Sequence, residues 1–287
     1  MEVIERVGVV GLGTMGAGIV QVLLEGGREV VGRDVDDAAL ARARSRIEGG
    51  LNRRVEKGQL SDEKRHAALG RLTLVPDLAG LSGCELVIEA IIEEIGAKQA
   101  LFSELDGICS ERAVLATNTS AISVTAIVSG SPRPERCLGL HFFNPAPLMP
   151  LVEVVRAERT DEESYAAAGA LIEACGKRAV RCNDTPGFIV NRLLIPALND
   201  AVLALDETGV APEDIDAAMT AGAGWPMGPF RLIDLIGLDV HVHAAEALHA
   251  DLSEARMAPP PRLRRMVDAG FLGRKSGRGF YDYGSAE

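Results

Sequence analysis

The sequence predicts an α/β protein with a doubly wound, mostly parallel sheet that carries a helical-hairpin insertion and is followed by an all-α domain. Short apolar runs alternate with helical patterns through the first part of the chain, which is typical of parallel sheets covered by helices. A glycine-rich turn follows the first apolar run. After the polar boundary at 183–187, no convincing strand recurs until the last few residues. We therefore expect one domain over residues 1–184 and a helical domain over residues 185–287.

The individual strands and helices are predicted from apolar spacing and turn residues. Short apolar runs between turn signals indicate buried strands, and apolar residues three or four apart indicate helices. The predicted strands cover residues 7–10, 29–33, 71–75, 86–90, 113–120, 137–144, 151–155 and 179–182. The predicted helices follow the glycine turn and then cover 37–68 with a break at Gly58, 97–109, a segment capped by Ser123, 160–175, 188–207, a segment beginning at Pro212, 230–236, 240–252 and 261–269.

The glycine-rich turn has the spacing G-x-G-x-x-G at Gly11, Gly13 and Gly16. In this arrangement the first glycine permits a tight turn, the second lets a pyrophosphate approach the backbone, and the third lets the helix pack closely. The helix N-terminus then faces the anion with free N–H groups. An ordinary glycine-rich turn has the same spacing, but the strand before it and the helix after it favour a Rossmann-type dinucleotide site. We expect Thr14 and Met15 to contact the same ligand.

Asp34 indicates which dinucleotide binds. It ends the second predicted strand at about the distance from the glycine loop where a ribose-binding acid is expected. A carboxylate there accepts hydrogen bonds from the ribose hydroxyls and repels a 2′-phosphate. Arg33 is the counter-argument, because an arginine at this point can hold a 2′-phosphate. Neighbouring strand residues point to opposite faces, so we expect Arg33 to lie outside the pocket and NAD to be preferred over NADP.

The composition excludes several classes of function. The 287-residue chain is 47% hydrophobic and 25% charged, which is ordinary for a globular protein, and its net charge is −11. This negative balance argues against nucleic-acid or anionic-membrane partners, so any site for an anionic substrate must be a local basic patch. No apolar run approaches the roughly 20 residues of a membrane span. The chain leads straight into its first strand, so we expect no targeting segment.

The cysteines predict the compartment. They are odd in number and form no C-x-x-C pair, and several lie in apolar runs: Cys84, Cys109, Cys137, Cys175 and Cys182. Buried reduced thiols in a cytoplasmic protein are the interpretation we favour, and a catalytic thiol is the alternative. We expect no metal site, because His241 and His243 are two residues apart on one predicted helix and cannot share a face.

Polar residues at the ends of predicted strands are the catalytic candidates. Ser120 and His141 each follow an apolar run, at the edge where the glycine loop places the cofactor. The pKa of an imidazole suits proton exchange near neutrality. Glu153 lies inside an apolar strand, where a carboxylate is costly unless it is paired, so it could orient His141 and stabilise its cation. From spacing alone, His141 is either catalytic or a structural histidine. Asn191 is the fourth candidate.

The predicted hairpin at 37–68 is rich in arginine and lysine although the protein as a whole is acidic. Arg53, Arg54 and Lys57 lie in its first helix. A solvated helix face is one interpretation of this charge, and a local patch for a phosphorylated substrate tail is the other.

Six motifs in order along the chain resemble those of the L-3-hydroxyacyl-CoA dehydrogenase family, in which the bacterial 3-hydroxybutyryl-CoA dehydrogenases are the most similar in length. The motifs are the glycine loop at 11–19, Thr-Asn-Thr-Ser at 117–120, His-Phe-Phe-Asn-Pro at 141–145, Asp-Thr-Pro-Gly-Phe-Ile-Val-Asn-Arg at 184–192, the Pro-Met-Gly-Pro segment at 226–239 and Gly-Arg-Lys-Ser-Gly-Arg-Gly-Phe-Tyr-Asp-Tyr at 273–283.

The resemblance implies oxidation of an L-3-hydroxyacyl-CoA to the 3-ketoacyl-CoA, or the reverse, as in fatty-acid β-oxidation. By that resemblance His141 is the catalytic histidine and Glu153 its partner, while Ser120 and Asn191 bind the reacting oxygen of the substrate. The cofactor NAD would be contacted by Asp34, Glu89, Lys98, Asn118 and Asn144, in addition to the glycine loop. Arg53, Arg54 and Lys57 would cover the CoA moiety, and Glu94 departs from the asparagine that the family pattern leads us to expect.

The sequence leaves two rival functions open. Relatives of the family oxidise CoA-free hydroxy acids such as L-gulonate or carnitine, and a folded NAD-binding protein without turnover is the second alternative. The family resemblance, together with an apolar helical domain, also predicts a homodimer built through the C-terminal domain.

Overall fold

The computed structural model describes residues 4–284 and shows two compact units, the first ending at Thr185 and the second beginning at Pro186. The first unit is built on a sheet of eight strands in the order β3-β2-β1-β4-β5-β6-β7-β8. Every neighbouring pair is parallel except β6 and β7. The predicted doubly wound, mostly parallel sheet is therefore confirmed. The strands are β1 (Arg6–Val10), β2 (Glu29–Arg33), β3 (Leu72–Val75), β4 (Leu86–Glu89), β5 (Val114–Thr117), β6 (Cys137–Phe142), β7 (Leu151–Arg156) and β8 (Arg178–Asn183).

Among the described residues of this unit, six α-helices accompany the sheet, and two of them form the predicted hairpin between β2 and β3. They are α1 (Thr14–Glu25), α2 (Asp37–Glu56), α3 (Asp62–Gly70), α4 (Ile95–Ile108), α5 (Val124–Val128) and α6 (Glu162–Ala174). In the hairpin, Asp36 caps α2 by accepting a hydrogen bond from the amide of Ala39, and Ser61 caps α3 by accepting one from the amide of Lys64. The apolar face of α2, with Leu40, Ile47 and Leu51, is buried in the core of the unit.

The reversal at β7 has a simple cause in chain length. A parallel connection needs a dozen or more residues, usually with a helix, whereas only residues 143–150 separate β6 from β7. The chain must therefore turn back, and the antiparallel register places His141 directly opposite Glu153. The last strand, β8, contains the strand predicted over residues 179–182; it runs parallel to β7 and lies at one side of the sheet as its last strand.

The second unit is helical, as the sequence predicts. Its helices are α7 (Val190–Thr208), α8 (Pro212–Ala223), α9 (Pro229–Ile236), α10 (Leu238–Leu252) and α11 (Pro261–Asp268). They pack around Leu198, Val202, Phe230, Ile233 and Leu263. Near the end of the described chain, isolated bridges join Gly273 to Arg278 and Arg278 to Asp282. None of the helices in residues 4–284 has both the length and the apolar character needed to cross a membrane.

Two buried aspartates hold the C-terminal segment against these helices. Asp216 accepts hydrogen bonds from the amides of Phe230 and Arg231 and from the Tyr281 hydroxyl. Asp234 accepts them from the amides of Phe280 and Tyr281 and from the Tyr283 hydroxyl. The Gly-Phe-Tyr-Asp-Tyr sequence at 279–283 therefore serves as the partner of two carboxylates that would be costly to bury alone.

We expect Asp234→Ala to destabilise the protein by about 2–4 kcal/mol, because it leaves two amides and a hydroxyl without their acceptor in the interior. Asp239→Ala is the matched control, since its half-exposed ion pair with Lys275 contributes roughly 0–1 kcal/mol. Urea unfolding followed by circular dichroism measures both. Equal losses in the two variants would show that Asp234 does not organise the C-terminal segment.

Candidate active site

The glycine loop has the geometry of a phosphate-binding turn. Gly11 has φ +85°, and a Cβ there would lie 2.7 Å from the carbonyl oxygen of Ala90. A Cβ at Gly16 would overlap the carbonyl oxygen of Gly11, whereas one at Gly13 would meet no atom within 4 Å. The first and third glycines are therefore required by packing, and the second leaves open space at the N-terminus of α1. Such an open N-terminus fits the pyrophosphate of a dinucleotide.

Asp34 lies against this loop and Arg33 does not. The Asp34 carboxylate accepts hydrogen bonds from the amide of Leu12 at 2.8 Å and from the amide of Val35 at 2.7 Å. The Arg33 guanidinium instead donates to the carbonyl of Pro76 at 3.0 Å. The Asp34 carboxylate is thus beside the glycine turn, where it can accept hydrogen bonds from the ribose hydroxyls and repel a 2′-phosphate. The Arg33 guanidinium is hydrogen-bonded to Pro76 instead.

The ends of β4 and β5 carry a buried polar network. Glu89 and Lys98 are both fully buried and form an ion pair of 2.6 Å. Glu89 also accepts hydrogen bonds from the Thr117 hydroxyl and the amide of Ile91, each at 2.7 Å. The two side chains bind β4, β5 and α4 together beneath the surface. Their contact with the cofactor, which the family resemblance implies, stays a prediction.

Glu93 is the member of this network that reaches solvent. Its carboxylate lies 3.2 Å from Lys98 and accepts hydrogen bonds from the Thr119 hydroxyl at 2.5 Å and from the amides of Ser120 and Ala121. Partial burial favours a raised pKa for Glu93, but the charge of Lys98 and these hydrogen bonds outweigh it and hold the pKa below its usual value. Glu93 therefore fixes the backbone that carries Ser120.

The sequence gives a signal for Glu93, because it is an acid four residues beyond the end of a buried strand, at the sheet edge where ligands of open α/β sheets bind. Glu94, the residue that departs from the family pattern, has a local role. Its carboxylate caps α4 by accepting hydrogen bonds from the amides of Gly96 and Ala97, which lower its pKa.

The other end of the Ser120 segment is held by Asp184. This carboxylate accepts hydrogen bonds from the Ser123 hydroxyl at 2.7 Å and from the amides of Val124 and Thr125. Asp184 lies directly after β8, close to the end of the first unit. The segment with Ser120 is thus fixed on both sides by carboxylates, while Ser120 itself stays exposed.

His141 and Glu153 form a buried pair on β6 and β7. The imidazole Nδ1 lies 2.7 Å from Oε2 of Glu153, His141 is 5% exposed, and Glu153 is fully buried. The ring of Phe143 lies against the imidazole, with centroids 4.5 Å apart. A carboxylate at Nδ1 selects the tautomer in which this nitrogen carries the proton, so Nε2 is the nitrogen with the basic lone pair.

The remaining predicted residues are placed as follows. Asn118 joins β5 to β6, because its side-chain oxygen accepts a hydrogen bond from the amide of Phe142 at 3.0 Å. Met15 packs partly against the core of the first unit. Asn191 belongs to the second unit, in the first turn of α7. Among the described residues, no cluster of three or more His, Cys, Asp or Glu side chains could hold a metal ion.

A cavity of about 330 Å³ lies between the hairpin, α1 and the loop after β6. Thr14 and Asn144 line it, together with the three predicted cations Arg53, Arg54 and Lys57. Arg54 is already bound to Glu25 at 3.2 Å and to Gln59 at 2.8 Å. A fourth hairpin cation, Arg46, also lines the cavity; it lies about two helical turns before Arg53 and was not among the three residues that the resemblance assigns to CoA. The cavity lining also includes Ala17, Gly18, Gln21, Gly50, Gln59 and residues 145–148.

A mostly parallel sheet with a G-x-G-x-x-G turn, an aspartate against that turn and a histidine–glutamate pair at the carboxyl edge defines a nicotinamide-dinucleotide-dependent dehydrogenase. Comparison with known families agrees with this class. Residues 6–185 match the family described as "3-hydroxyacyl-CoA dehydrogenase, NAD binding domain", and residues 187–283 match "3-hydroxyacyl-CoA dehydrogenase, C-terminal domain". The chain belongs to the 3-hydroxyacyl-CoA dehydrogenase family.

Individual relatives give the same assignment over the whole chain. It is 45% identical to 3-hydroxybutyryl-CoA dehydrogenase of Mycobacterium tuberculosis over 284 residues, which are 98% of this chain and 99% of that one. It is 46% identical to 3-hydroxyadipyl-CoA dehydrogenase of Escherichia coli, covering 98% of this chain and 59% of that protein. The crystal structure of (S)-3-hydroxybutyryl-CoA dehydrogenase PaaH1 from Ralstonia eutropha superposes with a TM-score of 0.94 at 39% identity, covering 98% of this chain and 100% of that one.

The placement of Asp34 and Arg33 generates a prediction about cofactor choice. We expect Asp34→Ser to lower kcat/KM with NADH by about tenfold or more, because a charged acceptor of hydrogen bonds is lost. The ratio of kcat/KM with NADH to kcat/KM with NADPH should fall as well. Arg33→Ala should leave the ratio of NADH to NADPH efficiency unchanged. Initial rates with both cofactors measure the ratio, and a large change in the Arg33 variant would place that guanidinium in the pocket.

Proposed function

We propose that this protein interconverts L-3-hydroxyacyl-CoA and 3-ketoacyl-CoA with NAD as the redox partner. The observation that carries the proposal is the buried His141–Glu153 pair at the same sheet edge as the glycine turn. A buried carboxylate is costly, and its contact with an imidazole near the cofactor edge supplies a general base with a stabilised cationic form.

In the oxidative direction, Nε2 of His141 takes the proton from the 3-hydroxyl group while C3 loses a hydride. NAD, when bound at the glycine turn, would supply the hydride acceptor. The carbonyl forms as the C–H and O–H bonds break, and the imidazolium that results is stabilised by Glu153 through Nδ1. Ser120, exposed at the end of β5, and Asn191 of the second unit are proposed to donate hydrogen bonds to the reacting oxygen, where negative charge develops during reduction. Reduction follows the same steps in reverse.

The cations of the cavity support a CoA ester over a free hydroxy acid. Within residues 4–284, no carboxylate lies within ion-pairing distance of Arg46, Arg53 or Lys57. The net charge of the protein is −11, so three cations that line one cavity without carboxylate partners in that range favour binding of an anionic ligand there. CoA carries phosphates that suit such a patch, whereas a small CoA-free acid would use one cation at most. A non-catalytic NAD-binding role would not account for the buried histidine–glutamate pair, because binding of the dinucleotide does not need a general base.

The acyl group is the remaining part of the substrate. The names of the two sequence relatives mention a 3-hydroxybutyryl and a 3-hydroxyadipyl group. We propose short 3-hydroxyacyl groups as the substrates, with the four-carbon thioester tested first and the six-carbon dicarboxylic thioester as its comparison.

The test is NADH oxidation at 340 nm with acetoacetyl-CoA as substrate. We expect His141→Ala and Glu153→Gln each to lower kcat by about two orders of magnitude or more, as loss of a general base or of its orienting partner does. His66→Ala and Glu173→Gln are matched controls on the surface of the same unit. Wild-type activity in either active-site variant would overturn the assigned roles. Activity with free hydroxy acids and none with any acyl-CoA would support the rival substrate class.

We further propose a homodimer built through the second unit, in the cytoplasm. Large apolar side chains are exposed there, including Leu193 at 68% and Val240 at 51%. The compartment is supported by the cysteines, which are free, while burial raises the pKa of Cys84 and Cys109 to about 11 and keeps these thiols protonated.

A dimer predicts twice the chain mass of 30.4 kDa by light scattering. Leu193→Asp should shift the protein toward monomer, because a charge replaces an exposed apolar contact, whereas Val35→Asp in the first unit should not. A monomeric wild type at micromolar concentration would contradict the proposal.

A further inference from the structure

Lys177 lies in the turn between α6 and β8, and three backbone carbonyl oxygens converge on its ammonium group. Nζ lies 2.9 Å from the oxygen of Ala146, 3.0 Å from that of Pro147 and 2.8 Å from that of Met149. An ammonium group has three N–H donors and no acceptor. One lysine therefore uses all three of its donors on a single loop, which we define as the proline loop, residues 145–150.

The proline loop forms one side of the cavity next to the arginine-rich hairpin. Ala146, Pro147 and Leu148 line this cavity. The loop also packs against α1, where a Cβ at Gly18 would come within 3.3 Å of Pro147 and Ala146. The loop is thus held between a glycine on α1 and the ammonium group of Lys177, and its position sets the shape of the cavity.

Removing the ammonium group would leave three carbonyl dipoles directed at one another. Their oxygens repel at short range, and the half-buried site offers limited water to replace the lost donors. Burial lowers the pKa of Lys177, which the charge of Glu25 partly offsets. The three charge-assisted hydrogen bonds compensate the ammonium group for the solvent it has lost.

We propose that Lys177 is a positioning residue for acyl-CoA binding, because it fixes the proline loop as a side of the substrate cavity. This inference rests on the proposed function, since the cavity is assigned to the CoA ester there. Lys177 does not itself bind the substrate, because its three donors are used by the loop. The His141–Glu153 register is set independently by the pairing of β6 with β7. Loss of Lys177 should therefore weaken substrate binding more than it slows the chemical step.

The test compares steady-state kinetics of Lys177→Met with wild type. We expect the KM for acetoacetyl-CoA to rise about tenfold, with kcat changed by less than about threefold, because a side of the cavity is displaced while the catalytic pair is not. The Kd for NADH, measured by fluorescence, should stay within about twofold, since the cofactor lies at the glycine turn. Arg112→Met is the control: it removes one positive charge from an exposed position just before β5, at the opposite edge of the sheet.

Chemical rescue separates the ammonium group from the side-chain volume. We expect propylammonium to lower the raised KM of Lys177→Ala, and trimethylpropylammonium, which has no N–H donor, to leave it unchanged. If the methionine variant fails to fold, Lys177→Arg keeps the charge. Its donors lie in one plane and cannot all meet three converging oxygens, so its KM should still rise about threefold or more.

An unchanged KM in folded Lys177→Met, or an equal rise in Arg112→Met, would overturn the inference. Wild-type protein that binds NADH but does not turn over acetoacetyl-CoA would instead count against the proposed function. Hydrogen exchange then still decides the role of Lys177: the amides of Leu148 and Met149, which both donate to the carbonyl of Pro145, should exchange faster in the methionine variant. Equal exchange in both proteins would refute the positioning role.

Discussion

A fully buried carboxylate needs a partner, and in this protein the partner of Glu153 is His141 on the neighbouring strand. The pair exists because the chain reverses between β6 and β7. A parallel β7 would have required a long crossover and would have moved the carboxylate away from the carboxyl edge of the other strands. With the reversal, the middle of β7 lies beside the end of β6. An acid in a strand interior is thereby brought to a histidine at the ligand-binding edge.

The first six strands run in one direction, so their carboxyl ends meet at a single edge. The chain moves outward from β1 through β2 to β3 and then returns to the other side of β1 at β4. Ligands of open α/β sheets bind where this order reverses. The glycine turn after β1 and Asp34 after β2 lie on one side of that point. Glu93 after β4 and the Ser120 segment after β5 lie on the other side, so the residues proposed to bind the cofactor lie next to those proposed to be catalytic.

Periodicity and turn chemistry were enough to predict the strands, the hairpin and the helical second unit, because each depends on local patterns. Strand ends were less accurate: the strand predicted to reach Asn144 ends at Phe142, since the reversal toward β7 begins there. The hydrogen-bond partners of Glu89 could not be predicted, for a tertiary reason. An acid at a strand end can point into the interior or out of it, and only the position of Lys98 on α4, with Thr117 on β5, shows that it points inward.

A cationic side chain near a cavity indicates ligand binding only if its N–H donors are not already used by the protein. Lys98 and Lys177 both lie near the site, and their sequence contexts would allow either to meet an anion. The structure shows Lys98 neutralising two carboxylates and Lys177 donating to three carbonyls, so both ammonium groups serve the protein itself. Arg54 is shared with Glu25, whereas Arg46, Arg53 and Lys57 face the cavity without such a partner among the described residues. The hydrogen-bond donors that have no protein partner in the described chain, rather than the number of charges, therefore support our proposals that the hairpin binds the anion and that the proline loop shapes the cavity.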